Sequence, residues 1–209
     1  MQKGYFITFE GLDGAGKTTQ VMMLEKWLID QHIDYIRTRE PGGTLLGQEI
    51  RTLLFERPNI EMDALTEAFL FAADRSTHFA KVVIPALKSG KVVISDRCFD
   101  SNIAYQGFLR GVGSGFVEHI NRAAMRLREP HLTILLDLPP EKVAERKNGQ
   151  DTSRFDRETL DFHQKLRTVF LTRAKSEPRR IKVIDATQDI QEVHLKIVQL
   201  VEKGMNCVK

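Results

Sequence analysis

The sequence predicts an α/β fold in which a parallel sheet carries helices on both faces. Two observations carry this. Short apolar runs rich in β-branched and aromatic residues alternate along the whole chain with stretches at helical spacing, the pattern of successive strand–helix–strand units. The short runs are also continuous rather than alternating, as in Val92-Val93-Ile94, which suits strands covered on both sides. At 209 residues the chain is expected to form a single domain, 1–209, with a substantial core.

Tyr5-Phe6-Ile7-Thr8-Phe9 reads as the first strand. Gly11-Leu12-Asp13-Gly14-Ala15-Gly16-Lys17-Thr18 follows, and Val21, Leu24 and Leu28 then recur at helical spacing. A second strand closes at Ile36-Arg37-Thr38, where Arg39-Glu40-Pro41-Gly42-Gly43-Thr44 breaks it sharply. Helices are predicted from about Leu45 to Phe55 and from Asp63 to His78, the second with Leu65, Ala68, Phe69 and Ala72 on one face. Lys91 to Ser95 is a third strand, about Phe116 to Leu127 a helix, and Leu132 to Leu138 a fourth strand. A short helix from about Pro140 leads into Lys147 to Ser153, polar and without pattern, and a long helix resumes near Asp156. Ile181 to Ile184 makes a fifth strand, and Ile190, Val193, Ile197 and Leu200 form the apolar stripe of a last helix.

Composition narrows the function classes. Hydrophobic residues are 42% and charged residues 28%, as in soluble globular proteins. No apolar run approaches the ~20 residues of a membrane span, and no signal-peptide pattern precedes the first strand. Cys98 and Cys207 give neither a disulfide framework nor metal-ligand spacing, so a cytoplasmic protein is expected. A net charge of +3 does not by itself imply nucleic-acid binding, and neither a nucleic-acid nor a membrane partner is expected.

The stretch from Gly11 to Thr18 fits G-x-x-x-x-G-K-[ST], with a strand before it and a helix after it. Glycines let successive backbone N–H groups converge on one anion, and the helix N-terminus adds partial positive charge. Lys17 would reach the β- and γ-phosphates of a nucleoside triphosphate and the Thr18 hydroxyl would ligate Mg²⁺. A glycine turn that binds nothing is the bland alternative, which the flanking elements weigh against. In a parallel sheet ligands sit beyond the carboxyl ends of the strands, so the chemistry is expected in the loops after Phe9, Thr38, Ser95, Leu138 and Ile184.

Three further sites follow from that placement. Asp96 suits Mg²⁺, directly or through water, and Arg97 beside it suits a two-pronged grip on phosphate, the alternative being a salt bridge between neighbours. Phe71 and Arg75 share a helix face, where a ring and a guanidinium could stack on a base and bond its edge; Phe in the core with Arg on its rim is the other reading. Lys147 to Arg157, bordered by Arg146 and holding Arg154, could close over a bound triphosphate and bring in charge, or be a solvated loop.

No N-K-x-D guanine signature occurs, and Asp96 is followed by Arg rather than Glu. This favours phosphoryl transfer to a second small substrate over a hydrolysis-driven switch. A phosphate acceptor is mostly a dianion at neutral pH, its second pKa being ~6, so it needs no general base. It does need cations from several directions to meet a triphosphate. Lys17, Arg39, Arg97, Arg146, Arg154 and Mg²⁺ could supply them, which fits a nucleoside monophosphate kinase better than a nucleoside kinase. The expected architecture is thus a P-loop three-layer α/β/α fold of nucleoside monophosphate kinase type, with a short lid at about 146–157. Another nucleoside monophosphate kinase, a deoxynucleoside kinase and a nucleotide-dependent switch remain the rivals.

From Phe9 to Thr187 the residues closely resemble the thymidylate kinase family. The resemblance rests on Phe-Glu-Gly-Leu-Asp-Gly-Ala-Gly-Lys-Thr-Thr at 9–19, Arg-Glu-Pro-Gly-Gly-Thr at 39–44, Asp96-Arg97, Ala104-Tyr105-Gln106-Gly107, Ser153-Arg154-Phe155 and Asp185-Ala186-Thr187. It implies ATP-dependent phosphorylation of dTMP to dTDP by a cytoplasmic homodimer with five parallel strands. It also implies roles. Gly11 through Thr19 would hold ATP, with Arg146 nearby on its phosphates. Phe71 would stack on thymine and Arg75 would bond its carbonyl, with Ser101, Asn102 and Gln106 around the base. Tyr105 would pack beside C2′ of the sugar, Asp13 would meet the 3′-OH or the metal shell, and Arg39 and Arg97 would grip the dTMP phosphate. Members of the family carry a catalytic Arg either in the phosphate loop, at the slot held here by Gly14, or in the lid. With Gly14 and Ala15 this chain resembles the lid-donor class common in bacteria, which points to Arg154. Two positions depart from the family pattern: Cys98, where an aromatic residue or His is frequent, reads as a small buried filler, and Asp156 stands where the lid often has Glu. The apolar faces of the 45–55 and 63–78 helices are expected in the dimer interface.

Overall fold

Tyr5, Ile7 and Phe9 pack into one apolar cluster and Phe6 into another, and all four are buried. A strand whose alternate side chains enter two separate cores must lie between two layers of helix. The computed structural model, which describes residues 4–57, 59–147 and 158–208, has that arrangement. Strands β1 (Tyr5–Glu10), β2 (Tyr35–Arg39), β3 (Val92–Asp96), β4 (Leu132–Asp137) and β5 (Ile181–Asp185) form one sheet in the order β2-β3-β1-β4-β5. Every neighbouring pair is parallel.

Helices α1 (Lys17–Asp30) and α9 (Ile190–Val208) cover one face, Leu24, Leu28, Ile197 and Val201 packing on Ile7, Phe9 and Ile94. The other face carries α2 (Leu45–Phe55), α3 (Ala64–His78), α4 (Ile84–Lys88), α5 (Phe99–Asn102) and α6 (Ser114–Ala124), whose Ala68, Phe99 and Val117 meet Phe6 and Val93. α7 (Pro140–Lys147) and α8 (Leu160–Ser176) lie between β4 and β5 in sequence, and Leu166, Val169 and Phe170 of α8 pack on Leu135. Each fully buried Leu, Ile, Val or Phe contributes ~1.5–3 kcal/mol over leaving it in water, so the two clusters together hold the sheet in place. Caps set several helix starts. The Thr44 hydroxyl accepts from the Gly47 N–H at 3.0 Å, the Asp63 carboxylate from Thr66 at 2.6 Å and the Thr159 hydroxyl from Phe162 at 3.2 Å.

The sheet and most helices fall where the sequence places them, with instructive differences. The helix expected from about Phe116 to Leu127 is α6, shifted to start at Ser114 and stop at Ala124. Gly113 (φ 103) precedes it, and Arg126 and Leu127 in the left-handed region (φ 53 and 59) end it. Two π-helical turns, Phe79–Val83 and Ile103–Leu109, have no counterpart in the sequence reading, because a wide turn leaves no distinct periodicity. The expected α3 stripe is corrected in part. Ala68 and Ala72 are buried, but Leu65 and Phe69 are 44% and 49% exposed, because α3 turns Glu67, Asp74, Arg75 and His78 inward instead. The helix expected to resume near Asp156 is described from Leu160, with Asp156 itself outside the described residues.

Candidate active site

Strand register brings three loops together. Phe9 pairs with Asp96 and Asp96 with Arg39, so the chain leaves β1, β2 and β3 side by side at one edge. The resulting cavity, about 540 Å³, runs from the glycine loop to α3 and the Ile103–Leu109 turn.

The glycine loop forms one end. A Cβ at Gly11 would stand 2.5 Å from the Leu136 carbonyl oxygen, and Gly16, at φ 97, starts α1 from the left-handed region. Gly11, Leu12 and Ala15 are buried beneath the loop, while Gly14, Thr18 and Thr19 are exposed at its surface. The Lys17 ammonium donates to the carbonyls of Gly11 at 3.1 Å and Leu12 at 3.0 Å and to Asp13 Oδ1 at 3.3 Å. Burial, and then the Arg97 charge, lower its pKa from the usual lysine value.

The Asp96-Arg97 turn forms the floor. Arg97 has φ 67, a conformation few non-glycine residues hold without surrounding support. Support comes from its N–H donating to the Phe9 carbonyl at 2.9 Å, and its guanidinium donates to Asp13 Oδ1 at 2.6 Å and Ser101 Oγ at 2.7 Å. Beneath it the Glu10 carboxylate accepts from the Cys98 N–H at 2.8 Å and from the Ser101 hydroxyl. Burial, with the nearby Asp100 charge, pushes the Glu10 pKa up. Asp96 Oδ1 is buried without a hydrogen-bond partner among the described residues. A buried carboxylate oxygen left open in a cavity that the exposed Thr18 also lines suits a hard cation that brings its own water and phosphate ligands, so these residues fit Mg²⁺. Cys98 is 1% exposed in the apolar cluster, and burial holds its thiol well above the usual pKa. It is the small filler expected, and it is not primed as a nucleophile.

The far end is built on α3. Phe71 lines the cavity, its ring set edge-on to Phe55 at 6.4 Å. Arg75 also lines it yet is 1% exposed, so the alternative of a core Phe with a rim Arg is reversed. Arg75 is held by Glu40, whose Oε2 accepts from Nε at 2.7 Å, while Glu40 Oε1 pairs with His78 Nδ1 at 2.7 Å. Asn102 and Asn121 also accept from the guanidinium. Tyr105 stands under Arg97, whose guanidinium carbon is 5.7 Å from the ring centroid, and Gln106 lines the same wall.

Arg39 opens onto this cavity with Arg51. Arg51 was not singled out in the sequence; it lies in α2 four residues before Phe55, over whose ring it sits at 5.0 Å, and donates to the Pro41 carbonyl at 3.2 Å. Burial, then the Arg39 charge, lower its pKa, as happens where two cations face one site. Glu40, Glu67 and Asn121 also escaped the sequence reading. Their partners lie 35 to 46 positions away, a separation that no local pattern encodes.

Arg146 takes a different place. Its guanidinium donates to the Ala186 carbonyl at 2.8 Å and borders a second hollow, about 260 Å³, on the outer side of the glycine loop with Gln188 and Ile190. Arg154 and most of the predicted lid lie outside the described residues. Among the described residues no helix is long and apolar enough to cross a membrane.

A family model described as thymidylate kinase matches residues 9–197. Similar proteins include the thymidylate kinase of Clostridium novyi, 47% identical over 92% of this chain and 96% of that one. That of Symbiobacterium thermophilum is 44% identical over 95% of this chain and 92% of its own length. The crystal structure of thymidylate kinase from Ehrlichia chaffeensis superimposes with a TM-score of 0.78 at 33% identity, covering 95% of this chain and 99% of that one.

Proposed function

Because the chain belongs to the thymidylate kinase family, we propose that it transfers the γ-phosphoryl group of ATP to dTMP, giving dTDP and ADP. One observation carries the reading in this molecule. A single cavity has a phosphate-binding glycine loop at one end and a ring–guanidinium pair, Phe71 and Arg75, at the other, with Arg97 between them. A nucleotide monophosphate stacked at the far end would present its phosphate toward the loop.

Catalysis is by positioning and charge neutralisation. The glycine loop, residues 11–19, holds the triphosphate, and Lys17 leaves its carbonyl perch to reach the transferring group. Arg97 and Arg39 fix the acceptor phosphate for in-line attack, and Asp13, now bridging Lys17 and Arg97, meets the sugar or the metal's water shell. Phe71, Arg75, Ser101, Asn102 and Gln106 read the base, and Tyr105 packs at the sugar. Thr18 and Asp96 would hold Mg²⁺, which when bound supplies charge neutralisation between the phosphates. Arg146 borders the donor side, and Arg154 brings a further charge as residues 146–157 close. The protein acts in the cytoplasm as a homodimer. Leu45, Leu46, Leu65, Phe69 and Phe116, all more than 40% exposed on the neighbouring helices α2, α3 and α6, support that assembly, since large apolar residues left exposed on adjoining elements suit an interface.

A coupled assay across dTMP, dUMP, dCMP, UMP, CMP, AMP and thymidine with MgATP tests the reading. Turnover is expected with dTMP foremost. Activity on thymidine without activity on dTMP, or hydrolysis of ATP indifferent to any acceptor, would overturn it.

A further inference from the structure

The wall that reads the base is wired to a carboxylate that does not itself line the cavity. Glu67 lies in the first turn of α3, 4% exposed. Its Oε1 accepts from Gln106 Nε2 at 2.5 Å. Gln106 Oε1 accepts from Asn102 Nδ2 at 2.8 Å. Asn102 Oδ1 accepts from Asn121 Nδ2 at 2.7 Å and from Arg75 Nη1 at 3.4 Å. Gln106, Asn102 and Asn121 are at most 2% exposed, so a reversed amide has no water to turn to.

The polarity of this chain follows from chemistry. A carboxylate only accepts and a guanidinium only donates, whereas an amide does one at each end. With Glu67 at one terminus, Gln106 must show it nitrogen and show Asn102 oxygen. Asn102 must then turn its nitrogen to Gln106 and its oxygen toward Arg75 and Asn121. Asn121 fits from the other side, its Nδ2 donating to the Val117 carbonyl at 2.7 Å. Reversing any one amide sets nitrogen against nitrogen or oxygen against oxygen, and a buried donor left unpaired costs ~1–3 kcal/mol.

We propose that Glu67 is a positioning residue for base specificity. Acting through Gln106 and Asn102, it holds an amide oxygen beside the Arg75 guanidinium and so selects pyrimidines carrying an N3–H next to a carbonyl over cytosine. Thymine and uracil present a carbonyl to the guanidinium and N3–H to the oxygen, where it would replace the long 3.4 Å contact from Arg75. Cytosine presents an amino group and a bare ring nitrogen, donor to donor and acceptor to acceptor. The inference rests on the dTMP kinase reading, and it concerns imide against cytosine, leaving thymine against uracil untouched.

The experiment is steady-state kinetics with dTMP and dCMP on wild type, Glu67→Leu, Glu67→Gln, Gln106→Glu and the exchanged pair Glu67→Gln/Gln106→Glu, with thermal unfolding alongside. Glu67→Leu removes the terminal acceptor, and the dTMP to dCMP ratio of kcat/KM is expected to fall at least about tenfold, chiefly through KM. Glu67→Gln still offers an oxygen and is expected to recover the selectivity that Glu67→Leu loses. Gln106→Glu sets two carboxylates together and is expected to lose dTMP binding. The exchanged pair reverses donor and acceptor between positions 67 and 106 while leaving an acceptor for Asn102, and should restore it; it also decides the matter if Glu67→Leu does not fold. An unchanged ratio in Glu67→Leu, equal losses on both substrates, or an exchanged pair no better than Gln106→Glu would overturn the proposal. A wild-type enzyme inactive on dTMP would sink the reading beneath it instead.

Discussion

Arg97 Nη2 donates to Asp13 Oδ1 at 2.6 Å, joining residues 84 positions apart. One comes from the glycine loop after β1 and the other from the turn after β3, so the contact ties these two loops together. Lys17 reaches the same oxygen at 3.3 Å. Two cations share one carboxylate, and phosphate oxygens would replace it on both.

Lys17→Ala removes the ammonium proposed to meet the transferring group. kcat is expected to drop by at least about 10²-fold while circular dichroism and the unfolding midpoint stay near wild type, since the loop's backbone conformation is set by its glycines. An enzyme with near wild-type turnover would place the catalytic charge elsewhere.

Arg154→Ala tests the charge assigned to the lid. Removing an arginine that acts on the transition state is expected to lower kcat by ~10³ or more with KM for dTMP little changed. A rise confined to KM would make Arg154 a binding residue.

Glu40→Ala strands a cation. The Glu40 and Arg75 side chains are each 1% exposed and paired at 2.7 Å, and losing one partner of a buried pair costs ~3–5 kcal/mol. Urea unfolding should show a loss of that size, with KM for dTMP raised because Arg75 loses its seat. Stability within about 1 kcal/mol of wild type would mean that Arg75 finds other partners.

Asp74 gives a pH dependence with a definite sign. Burial, then the Glu40 charge, raise its pKa from 3.8 to about 6, while Oδ1 accepts from the Gly42 N–H at 3.1 Å and Oδ2 is without a partner among the described residues. The folded state holds this proton more tightly than the unfolded state. Its contribution to stability is therefore complete below about pH 3.8 and is lost as pH rises through about 6. Unfolding free energies of wild type and Asp74→Asn are expected to diverge over that window by on the order of 3 kcal/mol, the variant becoming relatively more stable at the higher pH. Parallel curves would contradict the assignment.

The large apolar residues exposed on α2 and α3 predict a dimer of twice 23.9 kDa by sedimentation equilibrium. Phe69→Glu, at a side chain 49% exposed in the single chain and set edge-on to Phe116 at 5.9 Å, should yield monomer. A Phe69→Glu dimer as tight as wild type would move the interface to another face.

Much of this was legible in the sequence because it is local. The strand before Gly11, the helix after Gly16, the breaker at Pro41-Gly42-Gly43 and the acid at the end of β3 each announce themselves within a few residues. Register then did the assembling: once Phe9, Asp96 and Arg39 align, the candidate residues of three loops share a cavity without further specification. The stripe on α3 shows where local reading stops. Periodicity places Leu65 and Phe69 with Ala68 and Ala72, yet it cannot say whether a neighbour within the chain covers them. The buried polar partners were beyond reach for a different reason. Glu40, Asn121 and Glu67 look like ordinary solvated residues until the fold carries them to Arg75 and Gln106.

The strand order has a practical corollary. β2 and β3 lie on one side of β1, and β4 and β5 on the other. Arg39, Arg97 and the ring at 71 belong to segments that leave the first pair, whereas Arg146 and Ala186 follow the second. Laboratory evolution toward a different acceptor can therefore vary the positions on α3 and the Ile103–Leu109 turn that line the cavity, while the glycine loop, Asp96 and the segments after β4 and β5 stay as inherited.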